Sequence, residues 1–260
     1  MPAPKIIKPE KADKTTTLLM GRSGVGKTYQ YRKLHEAGFK ILVIASERKL
    51  LTIADLKPDI VMIDNFDFPT SKGEVVQSDL LDVFNYLRTP GHKYDLVFWD
   101  GPMRWSEDLS DYLSSVKRLS GYDLWGIFAK KVEKALKHFT LLADPASPVP
   151  VHVVATWGVE HDKDWQGNKS AVPIIDGQRV KPRISFWFDN VLYVEKLDDV
   201  IIGTSKFVLN TTGSGRFEAK ISSGALKFDA VIENPNLAEI LNKVTAANIN
   251  NTPAAIEGAK

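Results

Sequence analysis

The stretch LLMGRSGVGKTYQYRK, residues 18–33, is the most informative part of this 260-residue chain. It contains an apolar run, a glycine-rich turn that ends at Lys27 and Thr28, and then a segment of helical character. Residues 21–28 match the pattern G-x-x-x-x-G-K-[ST] at every fixed position. Glycines in such a turn let successive backbone N–H groups point at phosphate oxygens, and the following helix adds its positive dipole end. The stretch therefore predicts a phosphate-binding loop between a strand and a helix.

The predicted loop assigns a role to each of its polar residues. Lys27 is expected to reach the β- and γ-phosphates of a nucleotide, and the Thr28 hydroxyl to ligate Mg²⁺. The alternative, a chance glycine turn before a helix, is disfavoured because the strand and the helix are both present in the pattern. The residues predicted to bind the nucleotide are Gly21, Arg22, Ser23, Gly24, Val25, Gly26, Lys27, Thr28 and Tyr29.

A second motif, YDLVFWD at residues 94–100, supplies an acid at the end of an apolar run. Ligands of open α/β sheets bind at the carboxyl ends of the strands, so we expect Asp100 to lie near the phosphate loop. Its carboxylate would support the Mg²⁺ ion with Thr28. The alternative is an acidic residue that only terminates a strand.

Hydrolysis needs a group that polarises water for attack on the γ-phosphate. Glu47, directly after the apolar run ILVIAS, is the predicted general base, and a surface or helix-capping glutamate is the alternative. Asp64 and Glu160 are the next candidates. Thr156, which ends the run VHVVAT, is either a sensor of the γ-phosphate or an ordinary threonine at the end of a strand.

Apolar runs alternate with amphipathic segments, which favours a mainly parallel sheet covered by helices. Shorter β-like runs after residue 173 are expected to add antiparallel edge strands. Predicted strands are 15–20, 40–45, 60–63, 94–99, 151–156, 191–195 and 200–209, and predicted helices are 28–37, 78–87, 109–119 and 124–142. We expect a basic N-terminal tail at 1–14, one domain at 15–244 and a disordered tail at 245–260.

Composition excludes several classes of function. The chain has no cysteine, so disulfides, thiolate metal sites and cysteine nucleophiles are excluded. The formal net charge is only +2, which identifies no partner. No run approaches the ~18 apolar residues of a membrane span, and the N-terminus lacks the apolar core of a signal peptide. A soluble, cytoplasmic protein without a membrane partner is expected.

The ordered set GRSGVGKT, ILVIASE, YDLVFWD and VHVVATW resembles the RecA-type ATPase core. Within that superfamily the chain is most similar to compact phage ATPases of single-strand annealing and recombination. SFWFDNVLYVEK and GRFEAKIS resemble their later motifs, so the resemblance spans about residues 15–244. It implies a RecA-like P-loop NTPase that hydrolyses ATP with Mg²⁺, forms a homo-oligomeric ring or filament and acts on single-stranded DNA, in the host cytoplasm if the chain is phage-encoded.

The resemblance also assigns a basic residue that completes the site of a neighbouring subunit. In this chain that residue is Arg216 or Lys220, and the alternative is an exposed hairpin tip with ordinary surface charges. The family motif tends to read A-K-x-R where this chain has AKIS, so the choice between the two stays open. A second departure is Gly101, which stands where relatives often place Ser or Thr.

Three functions compete at this point. The first is an ATPase acting on single-stranded DNA, for which residues 157–183 offer a glycine-containing loop with Trp165 and several cations. The same segment could be an ordinary surface loop. The second function is an ATP-dependent oligomeric switch or assembly factor that binds no DNA. A small-molecule kinase ranks last, because the chain has no dense arginine cluster for a lid over the phosphates.

Overall fold

The computed structural model of the protein describes residues 13–46, 50–63, 79–163, 169–199, 204–222 and 226–250. Within these residues nine strands form one sheet: β1 (Thr16–Gly21), β2 (Ile41–Ala45), β3 (Asp59–Met62), β4 (Leu96–Asp100), β5 (His152–Lys163), β6 (Lys169–Pro173), β7 (Asn190–Asp199), β8 (Thr204–Asn210) and β9 (Val231–Glu233). Their order across the sheet is β3-β2-β4-β5-β1-β7-β8-β9, with β6 paired to β5.

The six strands from β3 to β7 in this order are parallel, and β6, β8 and β9 pair antiparallel. Strand β1 lies between β5 and β7, where every one of its residues is buried. In register, Asp100 on β4 lies opposite Thr156 on β5. The predicted architecture is confirmed: a mainly parallel central sheet flanked by helices, with antiparallel C-terminal strands.

Helices cover both faces of the sheet, because residues of the central strands alternate between two apolar clusters. The helices are α1 (Tyr29–Glu36), α2 (Asp79–Arg88), α3 (Pro102–Asp111), α4 (Gly121–Thr140) and α5 (Leu237–Asn250). Leu18 and Met20 of β1 face the cluster that holds α2, α3 and α4, whereas Leu19 faces the cluster that holds α1 and α5. None of the helices within the described ranges is long and apolar enough to cross a membrane.

Helix α3 differs from the helix predicted at 109–119. It begins at Pro102, immediately after β4, and passes at Tyr112–Val116 into a π-helical turn. Trp105 and Leu109 of this helix are buried against the sheet, and burial of their apolar surface stabilises the earlier start. The prediction used the apolar spacing after residue 109 and therefore missed the first turns of the helix.

The segment after Thr156 is more regular than predicted. Strand β5 does not end at Thr156 but continues to Lys163 and pairs with β6, and a 3₁₀-helix follows at Lys181–Trp187. The expectation of one glycine-containing loop over residues 157–183 is therefore wrong for its described part. The two strands pair antiparallel, from Val159 opposite Pro173 to Lys163 opposite Lys169. Hydrogen bonds of this ladder satisfy backbone N–H and C=O groups of both strands. Trp165 lies outside the described residues.

The C-terminal tail predicted from residue 245 is helical over its first six residues. Helix α5 extends to Asn250 and buries Val244 and Ala247 on the face that carries Leu241. Ala247 follows Leu241 and Val244 at helical spacing and continues the apolar face of α5. The prediction missed this face because the segment is rich in small and polar residues. The start of α5 is tied to α1 by Gln30, whose amide accepts from Leu237 N–H at 2.9 Å and donates to the Pro235 carbonyl at 3.2 Å.

Candidate functional site

The loop after β1 passes close to strand β7. A Cβ added at Gly21 would lie nearer the Val194 carbonyl oxygen than van der Waals contact allows, and 2.9 Å from the Val25 side chain. Gly26 has φ +89°, in the left-handed region that other residues rarely adopt. Both fixed glycines of the motif are therefore required by the backbone. Together they fold residues 21–28 into a tight loop between β1 and α1.

Lys27 lies inside this loop. Its Nζ donates hydrogen bonds to the Gly21 carbonyl at 2.7 Å and to the Arg22 carbonyl at 2.6 Å. Burial lowers the pKa of the Lys27 ammonium to about 8, and the charge of Asp100 acts in the opposite direction. A partly desolvated ammonium enclosed by the loop is a strong counter-charge for any anion that the loop binds.

Thr28 and Asp100 lie side by side at the carboxyl edge of the sheet. The Thr28 hydroxyl is 3.1 Å from Asp100 Oδ1 and 3.3 Å from Oδ2, and it can donate to either oxygen. The two residues are 72 positions apart in the chain. A hydroxyl and a carboxylate are the hard oxygen ligands that Mg²⁺ prefers, and this ion keeps several waters and needs few protein ligands. The pair therefore fits the predicted Mg²⁺ site.

Thr156 completes a hydrogen-bonded row at this edge. Its hydroxyl donates to Asp100 Oδ1 at 2.7 Å and accepts from Gly101 N–H at 3.1 Å. The Thr156 side chain is buried, so its hydrogen bond holds the Asp100 carboxylate in one orientation. Whether Thr156 also senses a γ-phosphate stays a prediction.

Gly101 departs from the family pattern for a structural reason. It has φ +72° and forms the junction between β4 and α3. A Ser or Thr with this backbone conformation would be strained. Sequence reasoning noted the departure but missed its role, although a glycine directly after a strand-ending acid is a recognisable signal of a sharp turn.

Glu47 lies outside the described residues, as does Asp64. The last described residue before Glu47, Ser46, is close to β4: its N–H donates to the Asp100 carbonyl at 3.5 Å and its Oγ accepts from Trp99 Nε1 at 3.4 Å. Ser46 therefore lies at the carboxyl edge of the sheet, next to the end of β4. Glu160 is described, and its carboxylate accepts a hydrogen bond from Lys181 Nζ at 2.6 Å.

Arg216 and Lys220 both have exposed side chains, and their backbones belong to a segment held against the sheet. Lys220 exchanges two hydrogen bonds of 2.8 Å with Val191, and the Arg216 carbonyl accepts from Ala171 N–H at 2.6 Å. Between them, Phe217 stacks on Tyr193 with 4.4 Å between ring centroids. The segment is therefore anchored on both sides. A role of either cation in a neighbouring subunit stays a prediction.

Comparisons with known proteins place the chain in a family. A family model described as an AAA domain matches residues 13–223, a range that contains the loop, Asp100, Thr156 and Arg216. Among solved structures, the chain is similar to the RadB recombinase with 14% identity and a TM-score of 0.40, over 75% of this chain and 79% of that chain. No curated protein matches.

Proposed function

The chain belongs to the AAA domain family, and from this premise we propose that it binds ATP with Mg²⁺ and hydrolyses it. The observation that carries the proposal is the contact of Thr28 Oγ1 with the Asp100 carboxylate at 3.1 Å, next to the enclosed ammonium of Lys27. Phosphate counter-charge and metal ligands meet there at one edge of the sheet. Such an arrangement is suited to a nucleoside triphosphate.

Each residue of the site has a task in the proposed reaction. Backbone N–H groups of residues 21–28 hold the phosphate oxygens, and Lys27 exchanges its bonds to the loop carbonyls for bonds to the phosphates. Thr28 and Asp100 would hold Mg²⁺, which when bound neutralises charge on the β- and γ-phosphates. Thr156 keeps the Asp100 carboxylate oriented. Glu47 accepts a proton from the attacking water.

The test is phosphate release from ATP by the purified protein with Mg²⁺ and with a chelator in its place. We expect activity only with Mg²⁺, and none in Lys27→Ala, which should also bind ATP more weakly. Lys130→Ala is the matched control, because Lys130 is an exposed lysine on α4. Wild-type turnover in Lys27→Ala would refute the assignment.

We further propose that the ATPase is of the RecA-like phage type, assembles into homo-oligomers and acts on single-stranded DNA in recombination, annealing or replication. Support comes from the order of motifs that it shares with that group. Two cations of the 157–183 segment form ion pairs within the chain: Lys181 with Glu160 at 2.6 Å and Arg183 with Glu133 at 3.0 Å. Arg179 is an exposed cation of the same segment.

An electrophoretic shift with labelled single strands, with and without ATP at low salt, tests this second proposal. Salt matters because contacts to the phosphate backbone weaken steeply as its concentration rises. We expect an ATP-dependent shift that Arg179→Ala weakens. An oligomer that hydrolyses ATP but shifts no strand would instead support the switch or assembly factor.

A further inference from the structure

The outward side of helix α4 carries one continuous row of exposed side chains, here called the α4 row. From residue 126 to residue 141 the exposed residues are Ile127, Lys130, Lys134, Lys137 and Leu141, the last being the C-cap of the helix. Their spacing alternates between three and four positions, so they lie along one line of the helix surface. The line is about 21 Å long, at about 1.5 Å per residue. The opposite side of α4 is buried in the core, so the α4 row faces away from the sheet.

The three lysines in the middle of the α4 row form no salt bridge within the described part of the chain. Helix α4 has two acidic residues, and neither belongs to the row. Asp123 precedes it, and Glu133 pairs with Arg183 at 3.0 Å. With four lysines against these two acids, the helix carries a formal net charge of +2, as much as the whole chain.

This concentration of positive charge opposes the stability of the helix. Lys134 lies four positions after Lys130 and three before Lys137, and like charges at these spacings repel. The positive field also reaches the next element. Burial lowers the pKa of His138, and the charges of Arg88 and of the two nearer lysines lower it further. An anionic partner on the α4 row would replace this repulsion by attraction.

The two ends of the α4 row indicate which kind of anion fits. Ile127 and Leu141 are each 36% exposed. A peptide brings apolar side chains that can cover them, whereas a phosphate backbone offers only charged and polar groups. Single-stranded nucleic acid is usually held between cations and aromatic faces, and the row contains no aromatic residue. Alternation of three and four positions is also the spacing of a seam along which a second helix packs.

We propose that the α4 row is the docking surface for an acidic amphipathic helix of a partner protein. The partner helix carries carboxylates where it faces the three lysines and apolar side chains where it faces Ile127 and Leu141. The lysine stems cover apolar surface of the partner while their ammonium groups reach its carboxylates at the rim. This inference goes beyond the proposed function, because no residue of the α4 row belongs to the candidate ATP site.

The probe is a synthetic, fluorescently labelled helical peptide with leucine at both ends of a matching row and glutamate at its three middle positions. A second peptide has lysine in place of each glutamate, and a third has the residues of the first in scrambled order. Fluorescence anisotropy measures binding to the whole chain at low salt, because salt screens exposed charges. We expect wild-type protein to bind the glutamate peptide and neither of the other two.

Neutral variants test the three lysines. Their joint replacement by glutamine should weaken binding of the glutamate peptide by roughly 3- to 150-fold, the range for the loss of three exposed ion pairs. Glutamine has a helix propensity close to that of lysine, so thermal unfolding should show no loss of stability. A matched control removes the same charge from exposed lysines outside α4 and should bind like wild type. The test variant is Lys130→Gln, Lys134→Gln, Lys137→Gln, and the control is Lys40→Gln, Lys196→Gln, Lys227→Gln.

A charge reversal tests direct contact. The protein with Lys130→Glu, Lys134→Glu and Lys137→Glu should bind the lysine peptide and lose the glutamate peptide. This exchange of preference requires a folded α4, so a misfolded variant cannot produce it. Binding of neither peptide by a variant that unfolds at the wild-type temperature would contradict the proposal.

Three further results would overturn the inference. Wild-type protein that binds none of the peptides has no such docking surface. Equal weakening in the test variant and in the control would show that only net charge matters. A labelled oligothymidylate that binds more tightly than the glutamate peptide, and is lost in the glutamine test variant, would identify the α4 row as a nucleic-acid surface instead.

Discussion

Thr156 holds the carboxylate of Asp100 through a 2.7 Å hydrogen bond between neighbouring strands of the sheet. The same hydroxyl accepts from Gly101 N–H, so its position is determined from two sides. Asp100 in turn lies 3.1 Å from the Thr28 hydroxyl. These hydrogen bonds connect Thr28, at the end of the loop after β1, to Asp100 on β4 and Thr156 on β5.

Thr156→Val should raise the Mg²⁺ concentration needed for half-maximal ATP hydrolysis by roughly 10- to 100-fold, the usual cost of losing a residue that orients a metal ligand. The physical reason is that valine cannot donate to Asp100. Thr156→Ser keeps the hydroxyl and should restore most of the Mg²⁺ affinity. A Mg²⁺ dependence that is unchanged in Thr156→Val, at a reduced maximal rate, would instead favour direct contact of Thr156 with the γ-phosphate.

ATP affinity should fall as the pH rises above about 8. Burial lowers the pKa of Lys27 to about 8 in the free protein, and bound phosphates would favour its charged form. Above pH 8 the free protein therefore loses a proton that the complex retains, so binding takes up a proton and weakens by up to about tenfold per pH unit. Calorimetry in buffers of different ionisation enthalpy measures this uptake.

Lys27→Ala is the control for the pH effect, since its weak residual ATP binding should lack the step near pH 8. The wild-type free energy of unfolding should also rise with pH from about 8 to 10.5, because the unfolded chain binds the extra proton in that interval. A Kd for ATP that is constant from pH 7 to 10 would contradict the account of Lys27.

Glu47→Gln should bind ATP but hydrolyse it at least roughly a hundredfold more slowly, the lower range for loss of a general base. The amide cannot accept the proton of the attacking water, so the variant should accumulate in its ATP-bound state. Single-turnover kinetics with labelled ATP measure the chemical step. A decrease of less than a few-fold would move the base elsewhere, with Asp64 and Glu160 next in order.

A protein with Arg216→Ala and Lys220→Ala should bind ATP normally yet hydrolyse it poorly, if either cation stabilises charge on the γ-phosphate of a neighbouring subunit. Mixed with Lys27→Ala, it should regain part of the activity, because some interfaces then combine an intact loop with an intact cation. The ATPase rate is measured across mixing ratios. If mixed oligomers form but the ATPase rate of the mixture only equals the sum of the rates of the two separate variants, neither Arg216 nor Lys220 acts in a neighbouring subunit.

The sequence by itself was sufficient to place the glycine-rich loop between β1 and α1 and to predict the parallel sheet. The loop is a contiguous motif whose glycines, lysine and threonine act locally, so spacing along the chain is enough to identify it. Buried parallel strands appear as continuous apolar runs, which placed β1, β2, β4 and the start of β5 correctly. The position of Asp100 beside Thr28 followed from the rule that ligands meet at the carboxyl ends of such strands.

Only the tertiary structure decided the contacts that depend on register and on distant segments. The hydrogen bond of Thr156 to Asp100 requires two strands to be paired in one register, and the left-handed backbone of Gly101 depends on how α3 docks. The end of α5 is helical because packing against the sheet buries a face that the composition of the segment concealed. Phe207 reaches Gly26 only because β8 folds back antiparallel on β7, beside β1, and that pairing is a property of the folded sheet.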